Sequence, residues 1–334
     1  MIEVKNLSKF FGSTAAITDV TFSVREGEIL GFLGPNGAGK TTTMRILSGY
    51  IPANRGTAKI GEYEVHRHSL AVRKRIGYLP ENPPLYLDMT VKSFLAFVTQ
   101  IKGVPRRDRA KSVNNAIERC FLEEKRNTLI RKLSKGYRQR VGIASAIVHN
   151  PPVIILDEPT IGLDPRQIIE VRNLIKSLAG DHTIILSTHI LSEVSMISDR
   201  VTIIANGTVV ATNTPDNLMM ELAGGGGYTL DISGDIELIE STLNNLPEVS
   251  SVSISPQENQ ERKQVKITCP PNTEPGDKIA TVIVNSGLHL YEMKRDKPTL
   301  EEVFLELTAQ DTKEDSSDQL PVTSSVKSEE RVNK

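Results

Sequence analysis

The sequence predicts an α/β fold in tandem with a smaller α+β unit. A large domain over residues 1–223 is built on a mostly parallel buried sheet, and a ferredoxin-like domain follows over residues 228–309. Three observations carry this. Short apolar, β-branched runs alternate with helical patterns through the first 220 or so residues, as a buried parallel sheet requires. A glycine-rich loop separates one of these runs from a helix. Beyond the break Gly224-Gly-Gly-Gly227 the order of patterns becomes βαββαβ.

Taken in order, the strands of the large domain are expected at Glu28–Leu33, Ile76–Leu79, Val153–Leu156, Thr183–Ser187 and Arg200–Ala205. Asn206-Gly207 is a strong hairpin signal and pairs the last of these with Thr208–Ala211. Strands vanish over about 83–145, where amphipathic patterns such as Val91–Gln100 and Arg107–Arg119 predict a helical subdomain. In the second unit the strand and helix patterns run Tyr228–Ile232, Ile236–Asn245, Val249–Ser255, Gln264–Thr268, Gly276–Ser286 and Leu288–Met293. A closing helix is expected at Thr299–Leu307, where Thr299 and Glu302 have capping-box spacing. Residues 310–334 are rich in Ser, Asp, Glu and Lys and poor in large apolar side chains, so they are expected to be disordered.

Composition narrows the function classes. Over 334 residues, 40 Lys and Arg balance 41 Asp and Glu, and no charge block calls for nucleic acid or an anionic membrane. Aromatics are scarce and Trp is absent, which weakens a stacking-based reading of bases or sugars. Cys120 and Cys269 stand far apart in no CxxC pattern and read as buried free thiols of a reducing compartment. No apolar run reaches 18 residues and the N-terminus lacks a signal-peptide core, so a soluble chain is expected. If it serves a membrane process, other polypeptides cross the bilayer. His66 and His68 have H-x-H spacing, but no further ligand clusters near them in sequence, and a solvated loop is expected.

The chemistry is concentrated in Gly34-Pro-Asn-Gly-Ala-Gly-Lys-Thr41, which fits G-x-x-x-x-G-K-[ST] between an apolar strand and a helix. Such a loop turns its backbone N–H groups into an anion nest at a helix N-terminus. Gly34, Gly37 and Gly39 are expected to take positive φ and to let the backbone approach phosphates without a Cβ. Lys40 is placed to reach the β- and γ-phosphates and Thr41 to ligate Mg²⁺. Pro35, Asn36, Ala38 and Thr42 complete this nucleotide-binding stretch. A second strand, Val153-Ile-Ile-Leu-Asp157-Glu158, ends in paired carboxylates. Strand alternation points them opposite ways, which assigns two roles. Asp157 suits Mg²⁺, and Glu158 suits the polarising of water for in-line attack.

In their order along the chain, these residues resemble the ATP-binding subunits of ABC transporters over roughly residues 1–220. Leu133-Ser-Lys-Gly-Tyr-Arg-Gln-Arg140 is similar to the signature that this family alone carries among phosphate-loop ATPases. Ile161-Gly-Leu-Asp164 matches its D-loop and Ser187-Thr-His189 its switch-histidine region. Phe11 sits where the family stacks a ring on adenine, and Glu81 sits at the Q-loop position. The resemblance implies a phosphate-loop ATPase fold of ABC type, with ATP and Mg²⁺ as cofactors. It implies Lys40, Glu158 and His189 as catalytic residues, and Thr41, Asp157 and Glu81 around the metal. Ser134 and Gly136 would face the γ-phosphate held by a second subunit, and Asp164 of the D-loop match counts among the ATP-binding residues.

One phosphate loop and one signature per chain then imply a dimer, with a homodimer the simplest solution. Separately encoded transmembrane permease subunits are implied too, with the chain at the cytoplasmic face of the membrane and docked through residues near Glu81–Thr90. Glu81 replaces the family's usual Gln, and Lys135 and Tyr137 depart from LSGGQ. Such variants resemble the branch serving ABC-2-type exporters, whose members also tend to carry a segment like Pro298–Phe304. The rival reading is a soluble ABC ATPase acting on the ribosome or DNA. Those classes carry two ATPase units per chain or long coiled-coil insertions, and neither feature occurs here. A third reading makes residues 228–307 an effector sensor, although no ligand-type constellation appears in them.

Overall fold

A computed structural model of the chain describes residues 1–222, 227–256, 262–270 and 273–296. The central sheet contains β3 (Ile29–Leu33), β6 (Ile76–Leu79), β7 (Val153–Asp157), β8 (Thr183–Thr188), β9 (Arg200–Ala205) and β10 (Thr208–Asn213) in the order β10-β9-β3-β8-β7-β6. All neighbours are parallel except the β9–β10 hairpin, which turns at Asn206 and Gly207 with both residues at positive φ. Every residue of β3 and β7 is buried, so β3 and the Val153–Leu156 stretch of β7 read as continuous apolar runs and not as alternations.

A second sheet, which the sequence patterns do not announce, is formed by β1 (Ile2–Phe11), β2 (Thr14–Val24), β4 (Arg55–Ile60) and β5 (Tyr63–Glu64). It is antiparallel in the order β2-β1-β4-β5. Its first two strands are irregular. Asn6 and Asp19 sit at positive φ, and the β1–β2 register slips between Val4 and Leu7, Leu7 and Lys9, and Lys9 and Phe10. Each slip resets the in–out alternation, which hides the period of two on which strand recognition depends. This sheet and α1 (Lys40–Leu47) cover one face of the central sheet. Ile2, Val4, Leu7, Ile17, Phe32, Met44, Leu47 and Ile155 share that core.

The opposite face is covered by helices. They include α3 (Val91–Ile101), α4 (Arg109–Arg119), α5 (Lys135–Ile147) and α6 (Pro165–Leu178), whose Leu95, Ile117, Ile143 and Ile175 pack with Ile154 and Leu156 of β7. Thr90 caps α3 by accepting the Ser93 N–H at 3.2 Å. The smaller helices are α2 (Ser69–Arg75), α7 (Leu191–Ile197) and α8 (Pro215–Leu222). No described helix is long and apolar enough to cross a membrane.

Residues 227–296 form the expected βαββαβ unit. It runs β11 (Gly227–Ser233), α9 (Ile236–Asn244), β12 (Ser251–Pro256), β13 (Arg262–Thr268), α10 (Gly276–Asn285) and β14 (His289–Asp296). The sheet order β12-β13-β11-β14 is antiparallel throughout, which is ferredoxin-like. Leu230, Ile232, Val265 and Ile267 meet Ile239, Leu243, Ile279 and Ile283 in its core. The linker glycines 224–226, the closing helix expected at Thr299–Leu307 and the tail over 310–334 lie outside the described residues. Both cysteines are buried and free.

Candidate nucleotide site

The site is built where the parallel strands end. β3 runs into the loop at Gly34, and α1 leaves it at Lys40. Gly37 and Gly39 have φ of +85° and +101°, the left-handed backbone expected of them. Gly34 is glycine for a different reason from the expected positive φ: a Cβ there would lie 2.4 Å from the Ile204 carbonyl oxygen. At Gly39 a Cβ would meet Ile17 Cγ2 at 2.5 Å and the Ala16 oxygen at 2.8 Å, so conformation and space both demand glycine. No side chain caps α1, and its first turn holds no acidic residue. The N-terminal N–H groups and the positive end of the helix dipole are thus left to an anion.

A cavity of about 360 Å³ opens here. It is lined by Asn36, Gly37, Gly39, Lys40, Thr41 and Thr42 of the loop and α1, together with Glu81, Glu158 and Ile161. Pro35 and Ala38 are not among its lining residues; the Ala38 N–H donates to the Pro35 carbonyl at 3.3 Å within the loop. The Lys40 ammonium donates to the Gly34 and Pro35 carbonyls at 2.8 and 3.1 Å and pairs with Glu158 Oε1 at 3.2 Å.

Asp157, the last residue of β7, is fully buried. Its Oδ1 accepts from Ser187 Oγ at 2.6 Å and from Thr41 Oγ1 at 3.3 Å, whereas Oδ2 is buried with no hydrogen-bond partner. Burial pushes its carboxyl above the usual range, against the Ser187 and Thr41 bonds, and the nearby Glu158 and Glu81 carboxylates push the same way. An orphaned acid oxygen beside a threonine hydroxyl and Glu81 is a hard-oxygen donor set that fits a divalent cation.

Glu158 corrects the alternation argument. It stands at φ +49°, out of the strand conformation, with its N–H directed to Ser187 Oγ at 3.0 Å and to the Ser187 carbonyl at 3.2 Å. The chain therefore turns after Asp157, and the two carboxylates reach neighbouring residues of one loop, Thr41 and Lys40. His189 Nδ1–H donates to Glu158 Oε2 at 2.9 Å. Ser187 and Ile161, which the sequence marked only as members of the switch-histidine and D-loop matches, take definite places here: Ser187 orients both acids, and Ile161 lines the cavity.

Four expected site residues stand apart from this cavity. Ser134 caps α5, its Oγ accepting the Tyr137 N–H at 3.4 Å, and Gly136 is buried beneath Gln167. Asp164 caps α6 by accepting the Gln167 N–H at 3.0 Å. Phe11 ends β1, half exposed, with the Lys9 ammonium 5.2 Å from its ring centroid. None of the four lines the cavity of its own chain. His66 Nε2 accepts the Ala53 N–H at 3.2 Å.

This strand–loop–helix with its acid pair is a phosphate-loop nucleotide site, and comparison with known proteins places it in a family. The ABC transporter family matches residues 17–161. The uncharacterised ABC transporter ATP-binding protein YhcH of Bacillus subtilis is 33% identical over 318 residues, covering 94% of this chain and 98% of the relative. The Nod factor export ATP-binding protein I of Ralstonia nicotianae is 31% identical over 318 residues, covering 94% and 95%. Among solved structures, the dimeric ATP-binding cassette MJ0796 in a post-hydrolysis state with ADP and Pi is 25% identical. It superposes with a TM-score of 0.58 over 64% of this chain and 98% of that one. The chain belongs to the ABC transporter family as an ATP-binding, ATP-hydrolysing subunit.

Proposed function

We propose that this chain powers an exporter of the ABC-2 type whose permease subunits are separate polypeptides, and that ATP closes two such chains into a dimer. The carrying observation is the segment at residues 80–83. Glu81 lines the nucleotide cavity. Its neighbours Pro80 and Pro83 line an apolar groove of about 240 Å³ with Tyr86, Phe94, Phe97 and Ile101. One short stretch thus borders both the nucleotide and a surface suited to an amphipathic helix of a membrane subunit. The dimeric state of the MJ0796 cassette and the export function in the name of the Nod factor relative favour the same reading. Docked this way, the chain sits at the cytoplasmic face of the membrane. The large unit over 1–223 does the chemistry, and its helical part over about 83–145 passes the motion on.

Within one chain, the loop Gly34–Thr42 cradles the phosphates and Lys40 neutralises the β- and γ-phosphates. Thr41, Asp157 and Glu81 would hold Mg²⁺, which supplies charge neutralisation of the phosphate oxygens. Glu158 takes the proton of the attacking water, and His189 holds Glu158 in line through the bond to Oε2. Phe11 offers its exposed ring to adenine. Ser134, Gly136 and Asp164, outside their own chain's cavity, complete the site of the second chain. Gly136 packs under Gln167 of α6, so the starts of α5 and α6, capped by Ser134 and Asp164, lie together.

The test uses Glu158→Gln protein with ATP and Mg²⁺ on detergent-solubilised membranes. The expected result is a stalled ATP-bound dimer that captures a polytopic membrane protein. Capture of ribosomes or DNA-associated proteins with no membrane partner would sink the exporter reading. Turnover at the unmutated rate would sink Glu158 as the base.

A further inference from the structure

A second buried acid lies behind the site. Glu193, on α7, is 6% exposed. Its Oε2 accepts from Thr160 Oγ1 at 2.6 Å and from Thr188 Oγ1 at 3.5 Å, while Oε1 is buried and unpartnered. The two threonines belong to different strand ends. Thr160 follows Glu158 by two residues, and its carbonyl accepts the Leu163 N–H at 3.2 Å, so it fixes the turn that leads to Asp164. Thr188 lies between Ser187 and His189, and its Oγ1 also accepts the Ile190 N–H at 3.0 Å.

The helix that carries Glu193 has no room to drift. A Cβ on Gly31 of β3 would come within 2.2 Å of Val194 Cγ1 and 2.8 Å of Ser198 Oγ, so α7 lies directly against the strand that feeds the phosphate loop. Holding a carboxylate at this depth costs free energy unless it is bonded. Burial accordingly pushes its carboxyl up, and the hydroxyls of Thr160 and Thr188 oppose that shift. A buried acid bonded by one short hydroxyl donor at 2.6 Å and a longer one at 3.5 Å, on a helix locked to a third strand, is a costly brace for a surface turn. It makes sense where the two turns carry groups that must keep register.

We infer that Glu193 is a positioning residue for ATP hydrolysis: through Thr160 and Thr188 it locks the Glu158 turn to the His189 segment, so that the Glu158–His189 pair stays aimed at the attacking water. The inference rests on the reading of Glu158 as the water-polarising group. It predicts that the brace acts on turnover and leaves nucleotide binding alone, because neither threonine nor Glu193 lines the phosphate cavity. A displacement of about 1 Å at a base is enough to cost up to ~100-fold in rate.

The experiment compares the full chain carrying Glu193→Ala, Glu193→Gln, Thr160→Val and Thr160→Ser with Glu158→Gln as reference. Steady-state kcat, the Kd of a fluorescent trinitrophenyl-ATP and the melting temperature are measured for each. Glu193→Ala is expected to lower kcat about tenfold or more with Kd held within about twofold. Glu193→Gln keeps an acceptor oxygen and should lose less. Thr160→Ser should turn over close to the unmutated rate where Thr160→Val does not, and Glu193→Ala with Thr160→Val should be no slower than the worse single variant. If Glu193→Ala does not fold, Glu193→Gln and the Thr160 pair carry the same comparison. Loss of kcat in step with Kd and melting temperature would mean a merely structural acid and would overturn the inference. So would unchanged turnover of Glu193→Ala and Thr160→Val beside an inactive Glu158→Gln, which would leave the base assignment standing. Full turnover by Glu158→Gln would overturn both.

Discussion

Ser187→Ala isolates one bond whose consequences are worked out from the structure. Its hydroxyl donates to Asp157 Oδ1 at 2.6 Å and accepts the Glu158 N–H at 3.0 Å, and both Ser187 and Asp157 are fully buried. Removing it does not orphan the Glu158 N–H, which keeps the Ser187 carbonyl at 3.2 Å. The loss therefore falls on Asp157, which is left with Thr41 at 3.3 Å and an Oδ2 that already has no partner. A buried hydrogen bond to an ionised group contributes about 1.5–3 kcal/mol net, and no solvent screens this one. The variant should lose about 2 kcal/mol of stability near neutral pH, a fall of roughly 5 °C in melting temperature for a unit of this size. If Asp157 holds Mg²⁺ as proposed and the same energy is missing there, kcat/KM for ATP drops roughly 30-fold.

The pH dependence has a definite sign. Burial raises the Asp157 pKa in the folded chain, and the Ser187 bond opposes that rise. Such a raised carboxyl contributes stability at low pH, which is lost as pH climbs through its folded pKa. Deleting the donor raises that pKa further, so the variant's deficit should be small in acid and grow toward neutral pH. Thermal unfolding of both proteins from pH 4 to 8 without nucleotide measures it. A deficit that is flat across this range, or absent at neutral pH, would refute Asp157 as a buried carboxylate held charged by Ser187.

Two further perturbations test other parts of the molecule. Lys40→Ala should abolish most ATPase activity, measured as phosphate release, and should also destabilise the nucleotide-free chain, because it strips Glu158 of a cation at 3.2 Å in a site where both side chains are buried. His149, which bonds through Nε2 to the Ile76 carbonyl at 3.1 Å, is pushed down from 6.5 to about 4 by burial and by the nearby Lys102 cation. It folds as the neutral ring, so its contribution is complete above about 6.5 and drains away as pH falls toward about 4, a loss of roughly 3 kcal/mol. His149→Gln should flatten that acid limb of the stability profile measured by urea unfolding.

What the sequence made legible follows from the range of the physics involved. The phosphate loop was readable because its constraints are local: Gly37 and Gly39 take the left-handed backbone the pattern calls for, and Lys40 follows in the next turn. Gly34 shows the limit, since its need comes from Ile204, far along the chain, and not from its own φ. The acid pair was readable as residue types but not as geometry, because strand alternation stops at Asp157 and the left-handed Glu158 brings both carboxylates to one loop. The helices and strands of residues 227–296 came through within a residue or three at their ends, where amphipathic periods run unbroken. The antiparallel sheet of β1, β2, β4 and β5 did not, because the bulges at Asn6 and Asp19 erase its period. Least visible were Ser187 and the Glu193–Thr160 bond. A small hydroxyl or a lone acid on a short helix carries no pattern of its own, and its meaning appears only when folding brings together residues some 30 positions apart. These same contacts hold the acids in register, so the parts of the site that sequence patterns miss are those that set its geometry.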